Sequence, residues 1–283
     1  MLEWWHIVLL ALVGTIVDFR ICHDNMNVPW NGFGSLESVF YGTAQNPMQG
    51  RPLFAWLMGW IKNEQWRVGI YVWMKCVGFF LSMYLVNALV GAFLAMVFYV
   101  ALLACTQFDY IDTTYESAAM AGSIMAFMNQ HPLALIGIAF LWSLMRETAW
   151  SMPVLAMGFG WIVFALLLAA VVAVGRWIPV LVYGKKESYV GDLRKLFGIN
   201  LRELREWISL PGLLPLEACG VSVMVVIGLL VAFLVGVGTV FPAYWMSIAF
   251  ILSGFLVFGK WNETRVLVPA VVPALCICEA IWK

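Results

Sequence analysis

Apolar residues fall along this chain in long blocks separated by a few polar stretches. The first block, Trp4–Val17, reads as a helix. The residue ahead of it is Glu3 and no small-x-small cleavage step follows, so it is expected to be a retained helix and not a signal peptide. Residues 18–67 form a polar connection carrying Asp18, Arg20, His23, Asp24, Glu37, Arg51, Lys62 and Arg67, with breakers at Pro29, Gly32, Gly34, Pro47 and Gly50. Within it the segment RPLFAWLMGWI at 51–61 is too short to cross a bilayer and is expected to lie in an interface. Residues 68–106 are almost wholly apolar and long enough for two helices, with Asn87 and Gly91 marking the turn. The polar step FDYIDTTYES at 108–117 precedes apolar stretches at 118–128 and 133–145, divided by His131-Pro132. Arg146-Glu147 interrupts, and 152–183 is then apolar apart from Arg176.

A second polar stretch covers 184–215. In DLRKLFGINLRELREWISL the apolar residues Leu193, Leu196, Phe197, Leu201, Leu204, Trp207 and Ile208 recur at helical spacing opposite Arg194, Lys195, Arg202, Glu203 and Glu206. That is an interfacial amphipathic pattern, open to a break at Gly198. Apolar segments at 218–238, 242–258 and 266–282 complete the chain. A bilayer core of about 30 Å needs roughly 20 apolar residues per helix, so the pattern predicts an all-α, polytopic membrane protein in one domain, 1–283, with about eight crossings, roughly seven to nine. No internal repeat is visible.

Composition strengthens that expectation. Of 283 residues 63% are hydrophobic and 11% charged, against about 25% charged in ordinary globular domains. The mean hydropathy is +0.90. A soluble domain of this size could not bury so much apolar surface. Sixteen Lys and Arg balance sixteen Asp and Glu, leaving no basic surplus for nucleic acid, and six cysteines do not make a disulfide scaffold.

Charged groups near a bilayer carry information because an ion at its centre costs roughly 2.5–3.5 kcal/mol on insertion scales. Asp18 ends the first helix, with Asp24 close behind; a helix entering water is the plain alternative. Asp109, Asp112 and Glu116 are spaced to share one helix face, where carboxylates can hold a divalent cation such as magnesium or manganese, although a polar connection needs no such role. Arg146-Glu147-Thr148 lies between apolar runs, and adjacent charges on a helix point to different sides, so each is expected to find a partner elsewhere. Lys260, Glu263 and Arg265 precede the last helix beside Trp261, as an interfacial anchor would. The phosphate-loop, dinucleotide, HExxH, GxSxG and CxxC motifs are absent from the sequence.

In order along the chain, these features resemble the GT-C superfamily of membrane glycosyltransferases. The resemblance rests on Asp18 followed by GSLESVFYGTAQNPMQGRPLFAWL, on Asp112, on RETAWSMPVLA and on NETRVLVPAVVP. It implies transfer of a sugar from a polyprenyl-phosphate donor to a glycan, lipid or protein acceptor at the outer or lumenal face, here of a bacterial plasma membrane. It implies Asp18, Asp112 and Glu147 as catalytic carboxylates, and Arg51, Arg146 and Arg265 on the donor phosphate. Asp24, Glu263 and Asp109 would support them. An aspartate can serve as general base toward a hydroxyl, and arginine clamps phosphate with charge-assisted bonds. Glu263 reaches the same side as the others only if 152–183 crosses an even number of times. Seven of the sixteen Lys and Arg fall between Arg176 and Arg205, which the positive-inside rule would keep in the cytoplasm. Two other readings stay open. DYIDTTYE and KKESYVGDLR resemble degenerate magnesium-diphosphate motifs of UbiA-type prenyltransferases. A transporter, flippase or assembly subunit is the non-enzymatic alternative.

Overall fold

The computed structural model describes residues 2–24, 40–41, 52–105, 112–184, 219–239, 242–258 and 267–283. At 18–24, 64, 67–68, 104–105, 112, 219–225, 238–239 and 256–258 that description covers the backbone alone. Every regular element among these residues is helical. Helix α1 is Trp4–Asp24 and the short α2 is Leu53–Gly59. The stretch Glu64–Cys105 is broken at Gly91, whose φ of 76° and ψ of 177° only glycine adopts without strain. It is therefore two helices, α3 (64–90) and α4 (92–105). Then come α5 (Asp112–Met128), α6 (Pro132–Met145), a 3₁₀ turn Glu147–Trp150 running into α7 (Ser151–Gly158), and α8 (Ile162–Tyr183). The last three are α9 (Cys219–Thr239), α10 (Pro242–Phe258) and α11 (Val268–Trp282).

Individual contacts fix the direction of each helix. A Cβ placed on Gly14 would meet the Phe79 ring and the Tyr99 hydroxyl within 3.2 Å. In one continuous helix those two residues would be about 30 Å apart, so α3 and α4 fold back on each other at Gly91, as the sequence predicts. The backbone N–H of Leu2 donates to Asn87 Oδ1, which sets the start of α1 beside that turn. Gly78 packs on Thr114 and Gly122 faces Leu85, so α3 and α5 run parallel. Phe127, near the end of α5, stacks on Phe159 and meets Trp161. Gly158 abuts Ala243, and Phe93 meets Trp282.

These contacts bring Leu2, Gly91, 129–131, 159–161, the start of α10 and the chain end Lys283 to one end of the bundle, the hairpin end. The described connections there, at Gly91, 129–131 and 159–161, are tight turns. The opposite, polar end holds the finish of α1, the start of α3, the finish of α4 and start of α5, the α6–α7 corner, the finish of α8, the start of α9, the finish of α10 and the start of α11. The described residues thus make ten passes through the bundle where hydropathy suggests about eight crossings. Residues 118–145 divide into two passes at the His131-Pro132 turn that the sequence marks, and 152–183, whose number of crossings the pattern leaves open, divides into two at Gly158–Gly160.

By length and composition two stretches, Gly69–Leu103 and Ile162–Tyr183, are long and apolar enough to cross a membrane, the first of them bent at Gly91. Five further apolar helical stretches of 10–17 residues include Pro132–Met145 and Val268–Trp282. The core is continuous, with Phe79, Phe98, Met120, Trp142, Leu168 and Ile248 fully enclosed. The outer faces are apolar as well: on α8, Val163 is 83% and Leu166 and Leu181 are each 71% exposed.

Candidate functional site

Charge is distributed unequally between the two ends. Among thirty-two charged residues, Glu3, Glu279 and Lys283 belong to the hairpin end. The others stand on the polar halves of helices or in the sequence that joins helix termini of the polar end. The reason lies in the two passes made by 147–183, which return the chain to the polar end before 185–218 and again before 259–266.

The Arg146-Glu147-Thr148 step is the best-defined part of this end. Helix α6 stops at Met145, and Arg146 adopts an extended backbone, φ −157° and ψ 162°. Successive side chains of an extended segment point to opposite sides, so the two neighbouring charges diverge. Arg146 turns inward, and its Nε lies 2.9 Å from Glu116 Oε1 of α5, with both side chains at most 2% exposed. Glu147 turns outward and accepts a bond of 2.7 Å from Arg176 Nη2 of α8. Here the side chains are 19% and 45% exposed for Arg176 and Glu147. Arg176 Nη1 also donates to the carbonyl of Ser143 in the last turn of α6, where a cation suits the helix dipole. Thr148 Oγ1 accepts from Trp142 Nε1 at 3.2 Å. Each residue of the step therefore ties a different helix into one corner.

The short helix α2 covers the same end. Phe54 packs its ring on Tyr115 of α5, 5.0 Å between centroids, and the Tyr115 hydroxyl donates to the Met74 carbonyl of α3. Trp56 Nε1 donates to the Tyr183 hydroxyl at the finish of α8, and that hydroxyl donates to the Phe40 carbonyl. Helix α2, within the segment expected to be interfacial, thus lies against the ends of α3, α5 and α8.

Helix positions bring Asp18 and Asp24, on the last turns of α1, and Asp112, the first residue of α5, to the polar end. Their side chains fall outside the described residues, as do Arg51, Asp109, Glu263 and Arg265 entirely. Arg51 directly precedes the buried Pro52 at the start of α2. Among the described residues no group of three His, Cys, Asp or Glu side chains could hold a metal ion. Glu116, counted with Asp109 and Asp112 as a cation ligand from its spacing, is bound to Arg146. Two participants are not evident as ion-pair partners from the sequence, where Glu116 reads as a metal ligand and Arg176 as an interruption, although an isolated charge in an apolar run is the signal for such groups.

Comparison of the chain with protein-family models, curated proteins and solved structures finds no match. The reading of the site therefore rests on geometry and on the sequence resemblance.

Proposed function

We propose that this chain is an integral membrane glycosyltransferase of GT-C type, moving a sugar from a polyprenyl-phosphate donor to an acceptor hydroxyl at its polar end. The outward-facing apolar side chains of α1, α4, α8 and α9 support the membrane reading, because exposed apolar surface on this scale needs a lipid or protein covering. On that reading the bundle spans the bilayer, with passes somewhat short of about 20 residues accommodated by local thinning and the eight-residue α7 entering only part of its depth. The observation that carries the functional reading is the convergence at one end. The step RETAWSMPVLA, the acids Asp18 and Asp112, and the helix termini flanking Glu263 and Arg265 all belong to the polar end, covered by an aromatic helix as a lipid-linked substrate would require.

In this mechanism the Asp18 carboxylate takes the proton of the acceptor hydroxyl as its oxygen bonds to the sugar's C1, the C1–O bond to phosphate breaks, and the polyprenyl phosphate leaves with that bond's electron pair. Arg51 and Arg265 neutralise the departing phosphate, and Asp112 and Glu147 orient the acceptor. Arg146, enclosed with Glu116, fixes the corner from which Glu147 faces outward. Asp24, Asp109 and Glu263 complete the acidic surround. The natural location is a bacterial plasma membrane, with the polar end outside.

One observation favours a second reading. All Lys and Arg except Lys283 fall on the polar halves of helices or in the sequence that joins helix termini of the polar end, and the positive-inside rule would turn that end to the cytoplasm. A cytoplasm-facing intramembrane prenyltransferase binding a magnesium diphosphate would then fit. The test is to incubate the purified protein in nanodiscs with polyprenyl-phosphate-linked hexoses and pentoses and follow release of free polyprenyl phosphate. Release that D18N abolishes without loss of expression supports glycosyl transfer. A fully active D18N sinks the assignment of Asp18, and magnesium-dependent binding of prenyl diphosphates without sugar release favours the second reading.

A further inference from the structure

Helix α8 carries two faces of opposite use. The outer one, through Val163, Leu166, Val174, Trp177 and Leu181, is exposed and wholly apolar. A second stripe, Arg176, Val180 and Tyr183 at i, i+4 and i+7, runs along the flank that meets α6. Gly175 packs against Ser143 of α6, and Arg176 Nη1 donates to the Ser143 carbonyl, which closes this stripe toward the hairpin end. Two turns on, about 10 Å by helix rise, the Tyr183 hydroxyl accepts from Trp56 Nε1 and donates to the Phe40 carbonyl, and α2 itself packs on α6. Those contacts cover the stripe on its polar-end side. Between the two closures the chain still shows surface: Glu147, held by Arg176, is 45% exposed, and Val180 is 43% exposed. Arg176 stands on the opposite side of α8 from Val163 and Leu181, so the surface that Glu147 shows is separate from the apolar outer face.

We propose that this surface is a recess beneath α2 that takes the hydroxyl-bearing head of a membrane lipid, entering sideways from the bilayer past Val180. The acceptor of the transfer is then a lipid, and neither a soluble sugar nor a protein. A carboxylate paired with arginine accepts hydrogen bonds and donates none, so Glu147 selects a ligand that donates them, as sugar and glycerol hydroxyls do. Arg176 fixes the direction in which that carboxylate faces. The outer face of α8 continues apolar beside the recess as far as Val182, so acyl chains can lie along the helix while the head reaches inward to Glu147. The role of this lipid as acceptor rests on the proposed reaction, in which Glu147 orients the acceptor; the recess and the chemistry of its ligand do not.

The experiment places a nitroxide on V180C or L181C of the full chain in nanodiscs, in a cysteine-free background. Monogalactosyl diacylglycerol is the probe lipid and free galactose the soluble control. The expected result is that the galactolipid broadens the spectrum of the V180C label and leaves that of the L181C label unchanged, while free galactose moves neither. E147Q removes the broadening and keeps the unfolding midpoint. No broadening by the galactolipid, equal broadening at both positions, or broadening by free galactose would overturn the recess as a lipid site. For the acceptor role, V180W fills the recess and should abolish sugar transfer to a lipid acceptor, whereas L181W, on the outer face, should leave it unchanged; full transfer by V180W would overturn that role. Broadening by the galactolipid with no sugar release by the native protein would support the recess while removing the glycosyltransferase reading.

Discussion

The pair Glu116–Arg146 allows a quantitative test of how this corner is built. Its charges are 2.9 Å apart and at most 2% exposed. At an effective dielectric near 20 their attraction is about 6 kcal/mol. Removing two ions from water costs several kcal/mol each, so the net value of the intact pair is close to zero. Breaking it is another matter, since one buried ion then loses this partner, at about 3–5 kcal/mol. E116Q should therefore destabilise by that amount, and more than R146M, because arginine cannot shed its charge. The double variant E116L/R146M should return to within about 1–2 kcal/mol of the native protein. On the scale of about 2–4 °C per kcal/mol, E116Q lowers the unfolding midpoint by roughly 6–20 °C. Fluorescence-monitored thermal unfolding in detergent reads all three. An E116Q midpoint within a degree or two of native, or losses that simply add in the double variant, would refute the buried pair.

Other consequences follow from single positions. G91A places a Cβ at φ 76° and should cost about 1–3 kcal/mol by straining the α3–α4 turn, read as a lower unfolding midpoint. G158A would set a Cβ 2.2 Å from the Ala243 Cα, a backbone contact with no side chain to yield, so it should force α7 from α10 and destabilise by about 1–3 kcal/mol. R176M removes the partner of Glu147 where both groups meet solvent, so its stability loss should stay within about 1 kcal/mol. Donor turnover by R176M should fall much further than its unfolding midpoint, because Glu147 loses the group that orients it.

Much of this architecture was legible because helix formation in so apolar a chain is governed by hydropathy. The turn at Gly91, the separation of 118–128 from 133–145 at His131-Pro132, and the three final helices follow from the pattern directly. Region 152–183 was not legible as two passes, since a short helix and a glycine turn at Gly158–Gly160 carry no polar marker between them. In the site, the adjacency of Arg146 and Glu147 required separate partners, but which ones could not be read locally. Glu116 lies thirty residues before Arg146 and Arg176 twenty-nine after Glu147, and only the packing of α5, α6 and α8 brings them together.

The central claim is that the polar connections gather at one end and that this end faces outward. Single cysteines at Ser35, Tyr110, Val190 and Asn262, with Asn129 as the opposite marker, in a cysteine-free background, can be labelled in intact cells with an impermeant maleimide. The account predicts that the first four react from outside and Asn129 reacts only after permeabilisation. A split among the four would contradict the one-ended bundle, and reaction of all four only from inside would contradict outward glycosyl transfer.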